Sequence, residues 1–294
     1  MATTVPVTTR IAISNILLAT DFSEVSRAAL GYASNLARLY GSKIFVTHVV
    51  PHEPYLSVPL EPIPVDLDLF WNREKQNMAA FVAAKSLEEI PHEDILQRGE
   101  LWEVFSEVID KHNIDLVVVG THGRQGLKKV FLGSVAEKIY RQAKCPVLTV
   151  RPEVAASRGA VWELKRILFA TDFSETSLHA LPWALSLAEE NQALLIFLHV
   201  APLVPYQYKD SIRETTCKRL EGLMPSEPWC NPDFVVCFDF PAQGILQIAR
   251  DRETDLIVLG VNRRAAVGLS SHLPWSTASD VVSAAPCPVL TVRG

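Results

Sequence analysis

The sequence of 294 residues lacks any apolar run long enough to cross a membrane. Its longest apolar stretches, such as Leu116–Gly120, have the length of one β-strand, whereas a membrane-spanning helix needs about 20 apolar residues. Residues 1–10 contain no apolar segment after a basic start, so we expect no signal peptide. The pattern predicts neither a membrane span nor a secreted chain.

Paired cysteines and blocks of like charge are also missing. None of the five cysteines forms a CxxC pair, so neither a zinc site nor a redox site is indicated, and we expect no metal ligands. Reduced thiols and a cytoplasmic location are the default for such a chain. The net charge of −5 carries no basic stripe, which argues against a nucleic-acid partner.

The chain does contain a long internal repeat. The segment ILLATDFSE at residues 16–24 recurs at 167–175 with one change, and CPVLTVR at 145–151 recurs unchanged at 287–293. A repeat of this length is a duplicated domain, because solenoid units are far shorter.

Two folded domains follow from this duplication. Apolar residues make up 48% of the chain, which is enough for two cores. The segment 152–163 has Pro, Ser and Gly and little periodicity, which is typical of a linker. We therefore predict domains at 1–151 and 164–294.

Within each half, short apolar runs alternate with segments of helical period, which indicates a parallel sheet covered on both faces. Asp21 or Ser23 caps the first helix, and Gly41 ends it. In the first half we predict strands at 13–19, 43–50, 95–97, 116–120 and 147–151. We predict helices from the cap at Asp21 or Ser23 to Tyr40 and over 67–89, 101–112 and 134–143.

A ligand of such a sheet binds at the carboxyl ends of its strands. Thr20 and Asp21, Val49 and Gly120 stand at such ends. Asp21 is suited to accept hydrogen bonds from ribose hydroxyls or an adenine amine. Capping of the helix explains an aspartate at this position equally well.

The loop after the fourth strand carries the clearest chemistry. Glycines at 120, 123 and 133 let backbone N–H groups approach phosphate oxygens, and Gly133-Ser134 stands where a helix begins. Arg124 adds positive charge. The spacing is neither that of a Walker A loop nor G-x-G-x-x-G, so a dinucleotide dehydrogenase is not expected.

The second half serves as an internal control. Gly260 keeps the first glycine, but Arg263 and Trp275 occupy the second and third glycine positions. A bulky indole takes the space that a phosphate needs, so we predict no nucleotide in the second domain. Asp172 is nevertheless retained, so part of the reason for an aspartate there is structural.

Taken together, the sequence resembles the universal stress protein family in its tandem form. The resemblance rests on Ala19 to Ser23, His48-Val49, the glycine spacing of 120, 123 and 133, and the closing CPVLTV segment. It covers nearly the whole chain. It implies two Rossmann-like, HUP-type α/β domains, each with a five-stranded parallel sheet of order 3-2-1-4-5 flanked by helices.

The resemblance also implies ATP as the ligand of the first domain, with Mg²⁺ because triphosphates usually carry one. Asp21 would contact the adenosine, the Val49 backbone the adenine, and the glycine loop the ribose and phosphates. It further implies that the two CPVLTVR strands pair into an intrachain pseudo-dimer and leaves room for a homodimer. The full predicted set of ATP-binding residues is Ala19, Thr20, Asp21, Val49, Val119, Gly120, Gly123, Arg124, Gly133, Ser134 and Val135.

Three functions compete at this point. The first is a nucleotide-dependent regulatory or stress-adaptation module that acts on an unidentified protein partner. The second is an enzyme, either a slow ATPase or an adenylate-transferring enzyme, for which no catalytic residue is evident besides Asp21 and no HIGH or SGGxDS motif is present. The third is a binding module for another small ligand.

Several other residues suggest chemistry but are better explained by structure. His48 and His199 share one repeat position, and we expect loop-bonded rather than catalytic histidines, because no nucleophile is placed with them. Ser23 and Ser174 are expected to cap helices. We expect Cys145 and Cys287 to be buried and inert. Core or domain-interface packing is the favoured role of Trp71, Trp102, Trp162 and Trp183.

Overall fold

The computed structural model describes residues 10–51, 67–121, 133–152, 154, 162–225, 231–261 and 274–294. The chain divides into two compact units. The first domain comprises residues 13–162, and the second comprises residues 163–294 with the described residues before 13. Val154 and Trp162, from the segment that we predict as a linker, are buried and group with the first domain.

The first domain is a five-stranded parallel sheet of order β3-β2-β1-β4-β5. This order confirms the predicted topology. Its elements are β1 (Asn15–Ala19), α1 (Glu24–Tyr40), β2 (Lys43–Val50), α2 (Leu67–Val82), a 3-10 turn (Lys85–Leu87), β3 (His92–Arg98), α3 (Leu101–Lys111), β4 (Leu116–Gly120), α4 (Ser134–Gln142) and β5 (Val147–Val150).

The second domain repeats this architecture, with parallel strands in the order β8-β7-β6-β9-β10. Its elements are β6 (Arg166–Ala170), α5 (Glu175–Leu178), α6 (Leu181–Asn191), β7 (Leu194–Ala201), α7 (Tyr206–Glu221), β8 (Asp233–Phe238), α8 (Pro241–Asp251), β9 (Leu256–Val261), α9 (Pro274–Ala284) and β10 (Val289–Arg293). The long α1 of the first domain thus corresponds to two shorter helices.

Side chains at the element boundaries explain why parts of the sequence repeat. The Asp115 carboxylate accepts hydrogen bonds from the backbone N–H groups of Ser14 and Asn15 at 2.8 and 3.0 Å. Asp255 does the same for residues 165 and 166 at the start of β6. Each aspartate therefore ties the start of one strand to the start of its neighbour, which is a folding role.

The helix ends that were predicted from capping residues agree with the structure. The Ser23 hydroxyl accepts from the N–H of Ser26 at the start of α1, and Gly41 ends that helix with a left-handed φ of 69°. Ser174 caps α5 in the same way. Both capping predictions and the Gly41 stop are confirmed.

The third strand and the helix before it differ from the prediction. Helix α2 ends at Val82, and β3 runs over His92–Arg98 where the sequence indicates only residues 95–97. The strand lies at the edge of the sheet, and most of its residues are partly or fully exposed. It therefore lacks the apolar run by which a buried strand is recognised.

A buried core lies between the sheet and helices α3 and α4 in the first domain. It includes Leu17, Phe45, Val108 and Ile139, all at most 3% exposed. Among the described residues no helix is both long and apolar enough to span a membrane.

Candidate functional site

The carboxyl ends of β1, β2 and β4 meet at one edge of the first-domain sheet. Ala19, the last residue of β1, pairs with Thr47 on one side and Val119 on the other. The turn after β1 and the loop after β4 therefore lie side by side. This arrangement brings together the predicted site residues Thr20, Asp21 and Gly120.

Three of the predicted residues reach this edge only with their backbone. The side chains of Ala19, Val49 and Val119 belong to the core cluster that packs against α3 and α4. They are 4%, 7% and 3% exposed. A ligand at this edge can therefore contact their backbone groups but not their side chains.

The turn after β1 is held by hydrogen bonds among its own residues. The Thr20 hydroxyl accepts from the N–H of Phe22 at 2.9 Å and donates to the Ser26 hydroxyl at 3.0 Å. An Asp21 carboxylate oxygen accepts from the N–H of Ser23 at 3.1 Å. Since the cap of α1 is Ser23, the interpretation of Asp21 as the helix cap is wrong. Asp21 instead supports the turn that precedes the cap.

The second domain builds the same turn without the intact glycine loop. Thr171 accepts from the N–H of Phe173, and the carboxylate of Asp172 accepts from both the N–H and the hydroxyl of Ser174, at 2.9 and 2.6 Å. Phe22 and Phe173 even share a left-handed φ, 65° and 63°. This turn therefore belongs to the fold, whatever else the first copy does.

The hydrogen bonds to Asp172 also affect its ionisation. Partial burial of the carboxylate acts to raise its pKa, but hydrogen bonds from the side chain and backbone of Ser174 and from Ser177 outweigh that effect. The pKa of Asp172 consequently lies below its ordinary value. The turn is more stable when this aspartate is ionised.

The two histidines at the ends of β2 and β7 bind the carbonyl that begins this turn. His48 Nδ1 lies 2.7 Å from the Thr20 carbonyl oxygen, and His199 Nδ1 lies 2.9 Å from that of Thr171. The expectation of loop-bonded histidines is confirmed. Phe22 packs on the His48 ring with a centroid separation of 4.4 Å, and Phe173 on His199 with one of 4.9 Å.

One residue at this edge was not predicted from the sequence. Glu74, on α2, is 3% exposed, and its carboxylate lies 3.4 Å from His48 Nε2. The signal that points to it is its helical spacing: residues 74, 78 and 81 share one face of α2, and all three are buried. A charged residue on a buried helical face needs a partner, and His48 supplies one.

Gly120 is required by close packing. A Cβ at Gly120 would lie 2.8 Å from the Val25 side chain, in the first turn of α1. Its counterpart Gly260 is more restricted, because a Cβ there would lie 2.2 Å from the carbonyl oxygen of Thr176. The first glycine of the motif is thus retained in both domains for a steric reason.

Gly133 closes the loop that begins after β4. Its N–H donates to the Thr121 carbonyl at 2.6 Å, so both ends of the loop meet beside the end of β4. Helix α4 then starts at Ser134 with Gly133 as its N-cap, and no side chain in the described part of the chain caps it. The N–H groups of its first turn, which includes Val135, are the donors that a helix presents to an anion.

The second domain differs at this point. Counted from the shared CPVLTVR segment, Trp275 stands where the first domain has Gly133, and it lies inside α9, which begins at Pro274. A helical residue with a large side chain therefore replaces an extended glycine. Gly123, Arg124 and Arg263, and the side chains of Ser134 and Trp275, lie outside the described residues.

Two of the predicted structural residues behave as expected, and a third differs in part. Trp162 is 8% exposed and packs edge-on against Tyr32, with ring centroids 4.7 Å apart. Cys287 is buried, whereas Cys145 is only partly buried at the border of the core. In the described part of the chain, no group of three or more His, Cys, Asp or Glu residues is arranged to hold a metal ion.

Each domain is thus a Rossmann-like α/β domain, and the first one combines a glycine-bearing loop with an aspartate turn at its carboxyl edge. The model of the universal stress protein family matches residues 12–151 and again residues 163–293. The chain belongs to the universal stress protein family, in its tandem form.

Related proteins agree with this assignment. A universal stress protein of Mycolicibacterium smegmatis is 27% identical over 95% of this chain and 96% of its own length. Universal stress protein MJ0531 of Methanocaldococcus jannaschii is 33% identical over 46% of this chain and 81% of its own length. The crystal structure of a universal stress protein from Archaeoglobus fulgidus shares the fold, with a TM-score of 0.69, 19% identity, and coverage of 95% of this chain and 98% of that one.

Proposed function

We propose that this chain binds ATP at the carboxyl edge of the first domain and acts as a nucleotide-dependent regulatory module in stress adaptation. The observation that carries the proposal is the start of α4. Among the described residues no side chain caps its first turn, and the bond between Gly133 and Thr121 places it beside the end of β4. Uncapped backbone N–H groups at a helix N-terminus favour a phosphate.

The neighbouring residues suit the rest of the nucleotide. Asp21 lies on the adjacent turn, where its carboxylate can accept from the ribose or adenine, and the backbone of Val49 lies at the end of β2. Gly120, Gly123, Gly133 and Ser134 would hold the phosphates, with charge from Arg124. Mg²⁺ would enter with the triphosphate, because the described residues form no metal site of their own.

The same reasoning gives one nucleotide per chain. Trp275 in the second domain corresponds to Gly133 in the first. Trp275 lies inside helix α9, whereas Gly133 precedes α4 as its N-cap. Arg263 replaces the second glycine. The second domain therefore keeps the fold and the aspartate turn and lacks the phosphate loop.

Rapid hydrolysis is not part of the proposal. A phosphoryl-transfer enzyme needs a residue that positions or deprotonates the attacking water. The described carboxylates at this edge include Asp21 and Glu74, and Glu100 after β3 pairs with Lys138. The first supports its own turn, and the second is buried against His48. Binding with slow or no turnover fits these roles, and a change in partner binding would be the output.

The test is a calorimetric titration of nucleotide-free protein with ATP and Mg²⁺, for the wild-type chain and for Gly133→Trp, which copies the second domain. We expect one ATP per wild-type chain and none in the variant, with circular dichroism unchanged. Trp275→Gly is the matched control and should leave one site, because Arg263 remains. Undiminished binding by Gly133→Trp would refute the assigned phosphate loop.

The same protein separates the alternatives. Phosphate release during the titration would reveal an ATPase, and pyrophosphate release an adenylate-transferring enzyme. If ATP, ADP and AMP all fail to bind, the edge of the first domain serves another small ligand. Two ATP molecules per chain would show that Trp275 and Arg263 do not block the second domain.

A further inference from the structure

His48 lies between two hydrogen-bond acceptors. Its Nδ1 is 2.7 Å from the Thr20 carbonyl oxygen, and its Nε2 is 3.4 Å from a carboxylate oxygen of Glu74. The side chains are shielded from water, with exposed fractions of 13% for His48 and 3% for Glu74. The ring therefore links helix α2 to the turn that carries Asp21.

The chemistry of the two partners determines where protons must be. A carbonyl oxygen only accepts, so the Nδ1 atom of His48 carries a hydrogen. A neutral ring would then present the lone pair of Nε2 to an ionised carboxylate, and two acceptors would face each other in a buried place. A second proton on Nε2, opposite Glu74, removes that repulsion and compensates the buried charge.

Three described groups near this pair either support the carboxylate or contact other rings. The amide of Asn77 donates to the same Glu74 oxygen at 3.3 Å. Arg27 on α1 lies over the Phe81 ring at 5.2 Å, and Arg98 at the end of β3 lies over Trp71 at 4.6 Å. The remaining charged groups on α2 are the exposed Asp68, Arg73 and Lys75, and Asp21 follows β1. The other packed elements carry Glu24 and Arg38 on α1, Lys43 on β2, and Glu93 and Asp94 on β3.

The second domain shows that the fold alone does not need this carboxylate. His199 keeps the bond to the carbonyl of Thr171. Helices α2 and α7 both have 16 residues, so the position of Glu74 corresponds to Arg213. Arg213 bonds Asp210 and lies over Phe238. Within the described ranges, such a carboxylate thus accompanies the histidine in the first domain alone.

We propose that Glu74 is a positioning residue for nucleotide binding and that it acts through its ion pair with His48. The pair keeps Nδ1 of His48 protonated, so that its N–H donates to the Thr20 carbonyl. This hydrogen bond fixes the turn that presents Asp21. This inference rests on the proposed function of the first domain. When the imidazole of His48 gives up this second proton at alkaline pH, one ring N–H must serve two acceptors. The carboxylate is the stronger acceptor, so the turn loses its donor and nucleotide affinity falls.

The test is ATP binding between pH 7.5 and 9.5, where the charge of the triphosphate is constant. We expect the wild-type affinity to fall about tenfold, which corresponds to about 1.4 kcal/mol, the scale of one hydrogen bond. Glu74→Gln should bind ATP at pH 7.5, and its affinity should not change with pH. The glutamine amide donates to Nε2 of His48, so the Nδ1–H group keeps its hydrogen bond to the Thr20 carbonyl. His199→Asn is the matched control and should retain the wild-type profile.

A nucleotide-free readout accompanies the titration. Nitrogen-15 spectra at pH 7.5 should show both ring N–H groups of His48 in the wild-type chain and one in Glu74→Gln. Should Glu74→Gln fail to fold, the single variant His48→Asn replaces it, since the asparagine amide donates to Thr20 and has no proton to lose. It should also give a flat profile.

The outcomes separate the two proposals. An ATP-binding wild-type chain whose profile is unchanged by Glu74→Gln, or whose His48 carries one ring proton at pH 7.5, overturns the positioning role and leaves the proposed function intact. A wild-type chain that binds no ATP at any pH overturns the proposed function and the positioning role with it.

Discussion

The close approach of β9 to α5 makes Gly260→Ala a sharp test of the second domain. A Cβ added at residue 260 would lie 2.2 Å from the carbonyl oxygen of Thr176 and 2.5 Å from the Cα of Ser177. Both are backbone atoms, so no side-chain rotation relieves the overlap. The first domain supplies the matched variant, Gly120→Ala, whose Cβ would meet a methyl group of Val25 at 2.8 Å.

The two variants should differ in magnitude. Neither glycine has a left-handed φ, so alanine is allowed by the backbone conformation, and the cost is steric. Overpacking typically costs about 1–3 kcal/mol. We expect Gly260→Ala to lose about 3 kcal/mol or more, because the first turn of α5 must move. Gly120→Ala should lose roughly 1 kcal/mol, because Val25 can change its rotamer.

Hydrogen exchange read by mass spectrometry suits this comparison, because peptides report each domain separately. Protection of β6, β7 and β9 should fall in Gly260→Ala, while β1, β2 and β4 keep wild-type exchange. A Gly260→Ala chain with undiminished protection, or one less affected than Gly120→Ala, would contradict the packing argument.

Two further predictions concern titratable groups of the second domain. The pKa of Asp172 is lowered from an ordinary value of 3.8 in the folded state, so its stabilising contribution is present above that value and is lost as pH falls below it. Asp172→Asn should therefore unfold with a shallower pH dependence between about pH 4 and 2 than wild type in acid titrations followed by circular dichroism; equal slopes would count against this role. Burial, followed by the charge of Asp239, raises the pKa of the Cys237 thiol to about 11. Alkylation of Cys237 by iodoacetamide, measured by mass spectrometry, should be slow at pH 8 and should rise roughly tenfold per pH unit; rapid labelling at pH 8 would disprove its low reactivity.

The parts of the fold that were predicted correctly depend on signals that lie within a few neighbouring residues. Apolar runs identify β1, β2 and β4, and Gly41 ends α1 because a left-handed residue closes the helix there. Strand β3 was predicted too short because it lies at the edge of the sheet, where polar residues are tolerated. Its length is set by pairing with β2, which no local pattern encodes.

The candidate site divides in the same way. Topology predicts that the ends of β1 and β4 are adjacent, so Asp21 and Gly120 were placed at one edge correctly. The role of Asp21 in its turn and the contact of Glu74 with His48 depend on distances between side chains. Glu74 lies 26 residues after His48 in the sequence, on another element, so spacing alone cannot join them.

The steric demand at Gly260 has a consequence for motif searches in related chains. In the second domain Trp275 replaces the glycine that caps α4, whereas Gly260, where an added Cβ would overlap the Thr176 backbone, is retained. The first glycine of the signature, at position 120 or 260, therefore says little about whether a domain binds a ligand. A score that separates intact from degenerate copies should give its weight to the third glycine.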